Sequence, residues 1–272
     1  MPSLADVVAA FERLYDPATA ADWDAVGLVC GDPDAAVGRI LFAVDPVPAT
    51  AQEAIDRGAD LLITHHPLLL RPVHGVPATT YKGRIVHHLI RAGVGLLVAH
   101  TNADVATPGV SDALIQLLGV PESTPLSPAD GLGRVGRLPT PMTFSDFLAR
   151  VADRLPATAG GVRGAGDPDR MVATVAVCGG AGDSLLARAA EVGADVYVTA
   201  DLRHHPASEH RESGGPALID VPHWASEWPW LADAAGRLRA SMRGATVETL
   251  VSTVVTDPWT VHGAPAVKRG EL

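Results

Sequence analysis

Two adjacent histidines, His65 and His66, end the apolar run Asp60-Leu61-Leu62-Ile63-Thr64, and Pro67 stops that run from continuing as a strand. Imidazole is the commonest protein ligand for metals near neutral pH, and a strand end is a rigid mount for it. Successive strand side chains face opposite ways, so both rings can serve one site only where the strand breaks up, or where they serve two ions. Alone, the pair would read as packed or solvated histidines. Two further runs end in the same manner. Val94-Gly95-Leu96-Leu97-Val98-Ala99 leads into His100-Thr101-Asn102-Ala103-Asp104, and Pro216-Ala217-Leu218-Ile219-Asp220-Val221 leads into Pro222-His223-Trp224-Ala225-Ser226-Glu227. His223 and Glu227 are four apart at an expected helix start and so share a face. Three strand ends thus deliver His65, His66, Asp104, His223 and Glu227, and open α/β sheets gather ligands outside the carboxyl ends of their strands. Imidazole and carboxylate without thiolate suit zinc, iron, manganese or nickel. Five donors exceed what one catalytic zinc takes from protein. A carboxylate bridging two divalent metal ions per chain accounts for the number.

The elements that must carry these residues alternate between strand and helix. Residues 4–15 read as an amphipathic helix with Leu4, Val7, Val8, Phe11 and Leu14 on one stripe. A strand over 39–45 follows, then a helix from Pro48 to a stop at Gly58, the strand reaching His65, a helix over 81–92 and the strand reaching His100. This rhythm implies α/β architecture with a largely parallel or mixed sheet. A turn-rich stretch, 121–141, reads as a connection between two lobes. Beyond it the expected elements are a helix over 144–155, a strand over 171–178, a helix over 184–191, a strand over 195–199, a helix over 231–242 and a strand over 246–255. The domain reading is a first α/β lobe over 1–122, completed by 246–272, and a second over 123–245, with the metal site in the cleft between them.

In order along the chain, several blocks resemble the Nif-three-like dinuclear metal-centre family, whose members are often labelled GTP cyclohydrolase 1 type 2 homologues. They are Trp23-Asp24-Ala25-Val26-Gly27-Leu28, Thr64-His65-His66-Pro67, His100-Thr101-Asn102-Ala103-Asp104, Cys178-Gly179-Gly180-Ala181-Gly182, Thr199-Ala200-Asp201-Leu202-Arg203-His204-His205, and His223 with Glu227. The resemblance implies that His66 and Asp104 hold one metal and His65 and His223 the other, with Glu227 bridging both. It also implies return of the C-terminal strand to the first lobe, the short form of the family without an inserted domain, and a ring-shaped homohexamer. Ala25 and Ala200 depart from the family's usual asparagine and glycine, which puts substrate contacts from those two loops in doubt.

Composition narrows the function classes. Hydrophobic residues make up 47% of the 272, too many for a disordered chain, and no apolar run is long enough for a membrane span. The formal net charge of −10 disfavours nucleic acid and anionic membranes as partners, although divalent ions can dominate the field inside an acidic protein. Met1-Pro2-Ser3-Leu4-Ala5-Asp6 lacks the basic and apolar regions of a signal peptide. The only cysteines, Cys30 and Cys178, read as buried free thiols of a cytoplasmic protein.

Several other residues admit a sharp and a plain reading. The Cys178–Gly182 loop follows a strand and could cradle the phosphate of a nucleotide or other phosphate-containing ligand, or it could be a tight, closely packed turn. It lacks the Lys-Ser/Thr ending of a P-loop. Asp24 and Asp45 could orient ligand imidazoles, and Asp45 could equally cap a helix. His204 and His205 lie past a strand end facing the same side and could bind substrate or shuttle protons, or be a solvated helix start before Pro206, whereas His87 and His88 sit mid-helix and read as surface or packing residues. Trp224, Trp228 and Trp230 around Glu227 read as a hydrophobic wall or a subunit contact. Two functions are compatible with such a site. One is a metal-dependent hydrolase, cyclohydrolase-like by resemblance, with His204 or His100 as general acid or base. The other is a non-catalytic metal-binding protein: a store, metallochaperone or regulator.

Overall fold

A computed structural model describes residues 1–263 apart from 243; residues 264–272, the end of the stretch assigned above to completion of the first lobe, lie outside the described residues. In chain order the elements are α1 Leu4–Glu12, β1 Gly27–Cys30, β2 Arg39–Ala43, α2 Pro48–Asp56, β3 Leu61–Thr64, α3 Tyr81–Ala92, β4 Gly95–Val98, α4 Thr101–Val105, α5 Val110–Leu117, β5 Ser123–Pro125, β6 Arg134–Thr143, α6 Phe144–Arg154, β7 Arg163–Ala165, β8 Met171–Ala181, α7 Leu186–Glu191, β9 Val196–Ala200, α8 His204–Glu212, β10 Ala217–Val221, α9 His223–Ser241 and β11 Glu248–Val251. They make a mixed α/β fold with two sheets.

The first sheet has the order β1-β4-β3-β2-β11. β4, β3, β2 and β11 are parallel neighbours, and β1 pairs antiparallel with β4. The interior strands β3 and β4 are buried throughout, which is why they read as unbroken apolar runs. Helix boundaries follow local chemistry. Ser3 caps α1 in a capping box with Asp6, Thr80 caps α3 by accepting from the Gly83 amide, and Gly93 ends α3 in the left-handed conformation at φ 72°.

The second sheet has the order β5-β6-β8-β9-β10-β7. β8, β9 and β10 run parallel, while β5, β6 and β7 make antiparallel pairs at either side. Here the structure departs from the sequence reading at two places. The stretch 121–141 is not a plain connection: it holds β5 and most of β6, with Ser123 opposite Gly136. Pro139 and Pro141, which suggested a turn, fall where the β6–β8 register is interrupted between Arg137 and Met142, so their missing N–H groups cost no ladder bond. The helix start expected at His223 and the helix expected over 231–242 are a single helix that runs through Pro229. Burial of Trp224, Ala225, Trp230, Leu231, Ala234 and Leu238 outweighs the one intrahelical bond the proline removes.

One apolar core spans both sheets, containing Ile40, Phe42 and Ile63 of the first and Val175, Val198 and Ile219 of the second. α9 lies between them, touching β2 and β11 on one side and β8 and β9 on the other. Trp224 and Trp230 are buried within this core and Trp228 packs against it, so the three form an internal wall. The Trp230 indole donates to the Tyr15 hydroxyl (3.1 Å) and Trp228 to the Ser252 carbonyl (2.9 Å). No described helix is long and apolar enough to cross a membrane.

Candidate metal centre

The bend after β3 resolves the problem of two histidines in succession. Thr64 ends the strand and its hydroxyl donates to the His66 carbonyl (2.9 Å), while the His65 and His66 amides still donate to the carbonyls of Ala43 and Val44. The two rings therefore lie on one side, with centroids 5.1 Å apart. His100, between β4 and α4, brings its ring to 5.2 Å from His65 and 5.5 Å from His66. His223, the first residue of α9, stands 5.2 Å from His66. One turn further on, Glu227 is almost fully buried beneath all of them, at 3% exposure.

In each of these four imidazoles Nδ1 meets an oxygen. The partners are the Ala99 carbonyl for His65 (3.0 Å), Asp45 for His66 (2.7 Å), Asp24 for His100 (2.9 Å) and Asp201 for His223 (2.7 Å). An oxygen acceptor fixes the proton on Nδ1, so Nε2 is the atom each ring has for a ligand. Around the centre, Glu227 Oε1 lies 2.9 Å from His223 Nε2 and 3.4 Å from His65 Nε2, and Oε2 lies 3.1 Å from His66 Nε2. Asp104 Oδ1 approaches His65 Nε2 at 3.7 Å.

Two triads have donor atoms within 4.8 Å of one another: His65, His66 and His100, and His66, His223 and Glu227. His65 Nε2 and Glu227 Oε2 are buried without a hydrogen-bond partner. A buried polar atom left unsatisfied costs about 1–3 kcal/mol, which a coordinated cation would offset. The residues therefore fit a metal: the cluster could hold one.

The electrostatics match a site that trades protons for cations. Burial pulls the His66 and His223 imidazoles down, but Glu227, with Asp45 at His66 and Asp201 at His223, outweighs it; His66 sits well above its ordinary value and His223 at about 9. Burial would raise Glu227, yet His66, His65 and His223 hold its carboxyl well below the usual range. His100 differs: burial and the neighbouring His65 push it down to about 4, so it stays neutral. Asp104 is pushed up to about 6, chiefly by burial.

The sequence-derived residues distribute unevenly. His65, His66, His223 and Glu227 converge, Asp104 stands beside His65, and His100, read above as an acid or base, is packed in as a further donor. His204, the other acid or base candidate, begins α8 and lines a separate cavity with Arg203 and Arg211. Asp24 and Asp45 do orient imidazoles. Asp45 caps no helix, since Val47 occupies the cap of α2. Asp201 is an orienting carboxylate to which the sequence spacing does not point. It holds His223 from a left-handed backbone (φ 56°), a conformation that aspartate tolerates and sequence periodicity does not reveal.

The glycine loop resolves toward packing. The Gly179 and Gly180 amides donate to the hydroxyls of Ser111 and Ser226, which leaves neither for a phosphate. Gly180 is at φ 67°, and a Cβ there would meet Glu227 Oε1 at 2.5 Å and His223 Nε2 at 3.2 Å. Gly180→Ala should therefore displace the two donors as well as adding about 1–2 kcal/mol of backbone strain. The expected result is metal content well below wild type in a chain that remains folded by circular dichroism, and equal metal content would refute the close-approach argument.

A cavity of about 660 Å³ opens beside the cluster, lined by His66 and His223 and by Asp45, Asp201, Trp224 and Trp259 among others. Trp259, 72% exposed, follows the last strand, where no pattern flagged it. Trp23, 62% exposed, stands edge-on to His100 at 5.9 Å on another flank.

Comparison with known proteins identifies the family and the fold. A Streptomyces coelicolor protein called GTP cyclohydrolase 1 type 2 homolog is 52% identical over 98% of this chain and 96% of its own length. A Mycobacterium tuberculosis protein of the same name is 38% identical over 94% of this chain and 96% of its own; that alignment runs over 367 positions, more than this chain has, so the relative carries an insertion. Among solved structures, a Bacillus cereus protein related to NIF3 superimposes with a TM-score of 0.87 at 23% identity, over 95% of this chain and 98% of that one. The Staphylococcus aureus protein SA1388 does so at 0.86 and 28%, with the same coverage. The sequence pattern of Duf34/NIF3 (NGG1p interacting factor 3) matches residues 2–258, nearly the whole described chain, and the chain belongs to that family.

Proposed function

We propose that the cluster binds two divalent metal ions and that the chain is a metal-dependent hydrolase of a small molecule held in the 660 Å³ cavity. In this reading His66 and Asp104 serve one ion and His65 and His223 the other. Glu227 bridges them, and His100 adds a donor beside His65 and His66. The carrying observation is the cavity itself: His66 and His223 form part of its lining, so an occupant would sit against the donors. A metal store needs donors but no such space. Bound there, divalent cations would supply Lewis acidity, polarising a carbonyl or phosphoryl oxygen and acidifying water at neutral pH. The chain's own residues prepare for this. Asp45, Asp24 and Asp201 hold the Nδ1 protons, so three Nε2 atoms face the centre without reorganisation. Trp224 supplies an apolar wall against which a ring could lie.

The name carried by the relatives, GTP cyclohydrolase 1 type 2 homolog, puts nucleotides and pterins beside phosphoesters in the substrate panel. Turnover by metal-loaded protein that disappears with chelator and in His223→Ala supports the hydrolase. Two tightly bound metals without turnover of any panel member would move the assignment to a store, metallochaperone or regulator. The native assembly expected with this reading is a closed homohexamer. Light scattering at micromolar concentration should give a mass several times the 28.2 kDa of one chain, and a monomer would refute it.

A further inference from the structure

A second cavity, of about 500 Å³, lies next to the first, and the two share Arg163 and Asp220 in their linings. Their chemistries are opposite. The metal-side cavity is lined by four carboxylates, Asp45, Asp201, Asp220 and Asp257, against the single guanidinium of Arg163. The far cavity presents Arg163, Arg203 and Arg211 with His204, against one carboxylate, Asp220. On a chain of net charge −10, three arginines against one carboxylate in a single cavity run opposite to the overall balance.

The state of each arginine bears on what the cavity can take. Arg163 meets Asp220 with Nε and a terminal nitrogen 2.7 and 2.6 Å from the same oxygen; its side chain is 74% exposed, but Asp220 is largely buried and takes two donors, so that pair forms a boundary between compartments. Arg203 pairs with Asp183 at 2.6 Å, but its side chain is 75% exposed, and an exposed pair of this kind holds its partner weakly. Arg211 has no carboxylate partner among the described residues; one terminal nitrogen donates to the Gly215 and Pro216 carbonyls, which fixes the guanidinium in place. The start of α8, with His204 at its first turn, has no side-chain cap and adds its partial positive charge. Two guanidiniums, an imidazole and a helix start suit a tetrahedral dianion better than a carboxylate.

We infer that this cavity is a phosphate subsite and that the small molecule acted on at the metal cluster carries a phosphate monoester at the end remote from the metals. The Arg163–Asp220 pair marks where the ligand crosses from one compartment to the other. The specificity rests on the hydrolase reading, whereas the phosphate subsite stands without it.

The test is calorimetric titration of inorganic phosphate at fixed ionic strength into metal-loaded and chelator-treated full-length protein, with metal content measured in parallel. Chelation removes phosphate binding at the metals and leaves the arginine cavity. Phosphate should still bind chelated wild type, and the Arg203→Glu/Arg211→Gln double variant should lose at least tenfold in affinity with metal content unchanged. Because Arg211 also holds two carbonyls, Arg203→Glu alone is the second variant; its side chain is exposed, and it should lose several-fold. Absence of binding to chelated wild type, or equal affinity in the variants, would overturn the subsite. Absence of bound metal in wild type would instead overturn the hydrolase reading and leave the phosphate result to stand.

Discussion

Glu227→Ala is expected to strip the chain of both metal ions rather than one. Its two oxygens reach three different imidazoles, His65 and His223 through Oε1 and His66 through Oε2, so both sides of the cluster meet at this one carboxylate. Its removal also takes away the buried negative charge that would balance a cation among these imidazoles, which disfavours a cation at the same place. Glu227→Gln keeps the volume and one acceptor and should lose most of the metal as well, which separates loss of charge from loss of packing. His66, common to both donor triads, should cost more metal on replacement by alanine than His100, which belongs to one. His87→Ala should cost none, because that ring caps the Val76 carbonyl at 3.1 Å within α3 packing. Metal analysis of the purified variants decides: two equivalents retained in Glu227→Ala would remove it as the shared ligand.

What could be read from the sequence follows the physics of each element. Strand ends marked by His65, His100 and Val221 were visible because buried parallel strands are apolar runs and a histidine or proline breaks them sharply. The pairing of His223 with Glu227 needed only helical spacing. By contrast, β6 was hidden by prolines that fall in a register interruption, and Pro229 hid that the helix start at His223 and the helix over 231–242 are one continuous element. The partner of His223 could not be seen, because Asp201 reaches it through a left-handed backbone. The grouping of His100 with the donors was equally hidden, since its role depends on which nitrogen Asp24 occupies, a tertiary fact. The basic cavity joins an exposed edge strand, β7, to the start of α8; neither is periodic enough to announce the other.

Metal affinity should fall steeply with acid, and metal-free stability should move the other way. In the metal-free chain His223 titrates at about 9 and His66 well above its ordinary value, so near neutral pH both rings hold a proton on Nε2 as well as Nδ1. A cation needs that nitrogen neutral, so its binding expels the protons. Linkage then gives about tenfold in affinity per pH unit for each proton displaced, or roughly a hundredfold per unit for two. Affinity should rise until pH passes about 9 for His223. The same raised pKa stabilises the metal-free fold: the contribution is complete below the ordinary histidine value of about 6.5 and disappears as pH climbs through the folded value. Chelated protein should therefore lose denaturant resistance across that window while metal-loaded protein gains affinity. Competition with a chelator at fixed free metal measures the first slope, and denaturant midpoints of the chelated chain measure the second. A site built on carboxylates alone would titrate lower, from the ordinary value near ~4 up to about 6 for the buried Asp104, and leave both slopes flat above neutral pH. Flat affinity between about pH 8.5 and 7 would thus exclude the histidines as ligands, and parallel rather than crossed slopes would mean that Glu227 is not what holds their protons.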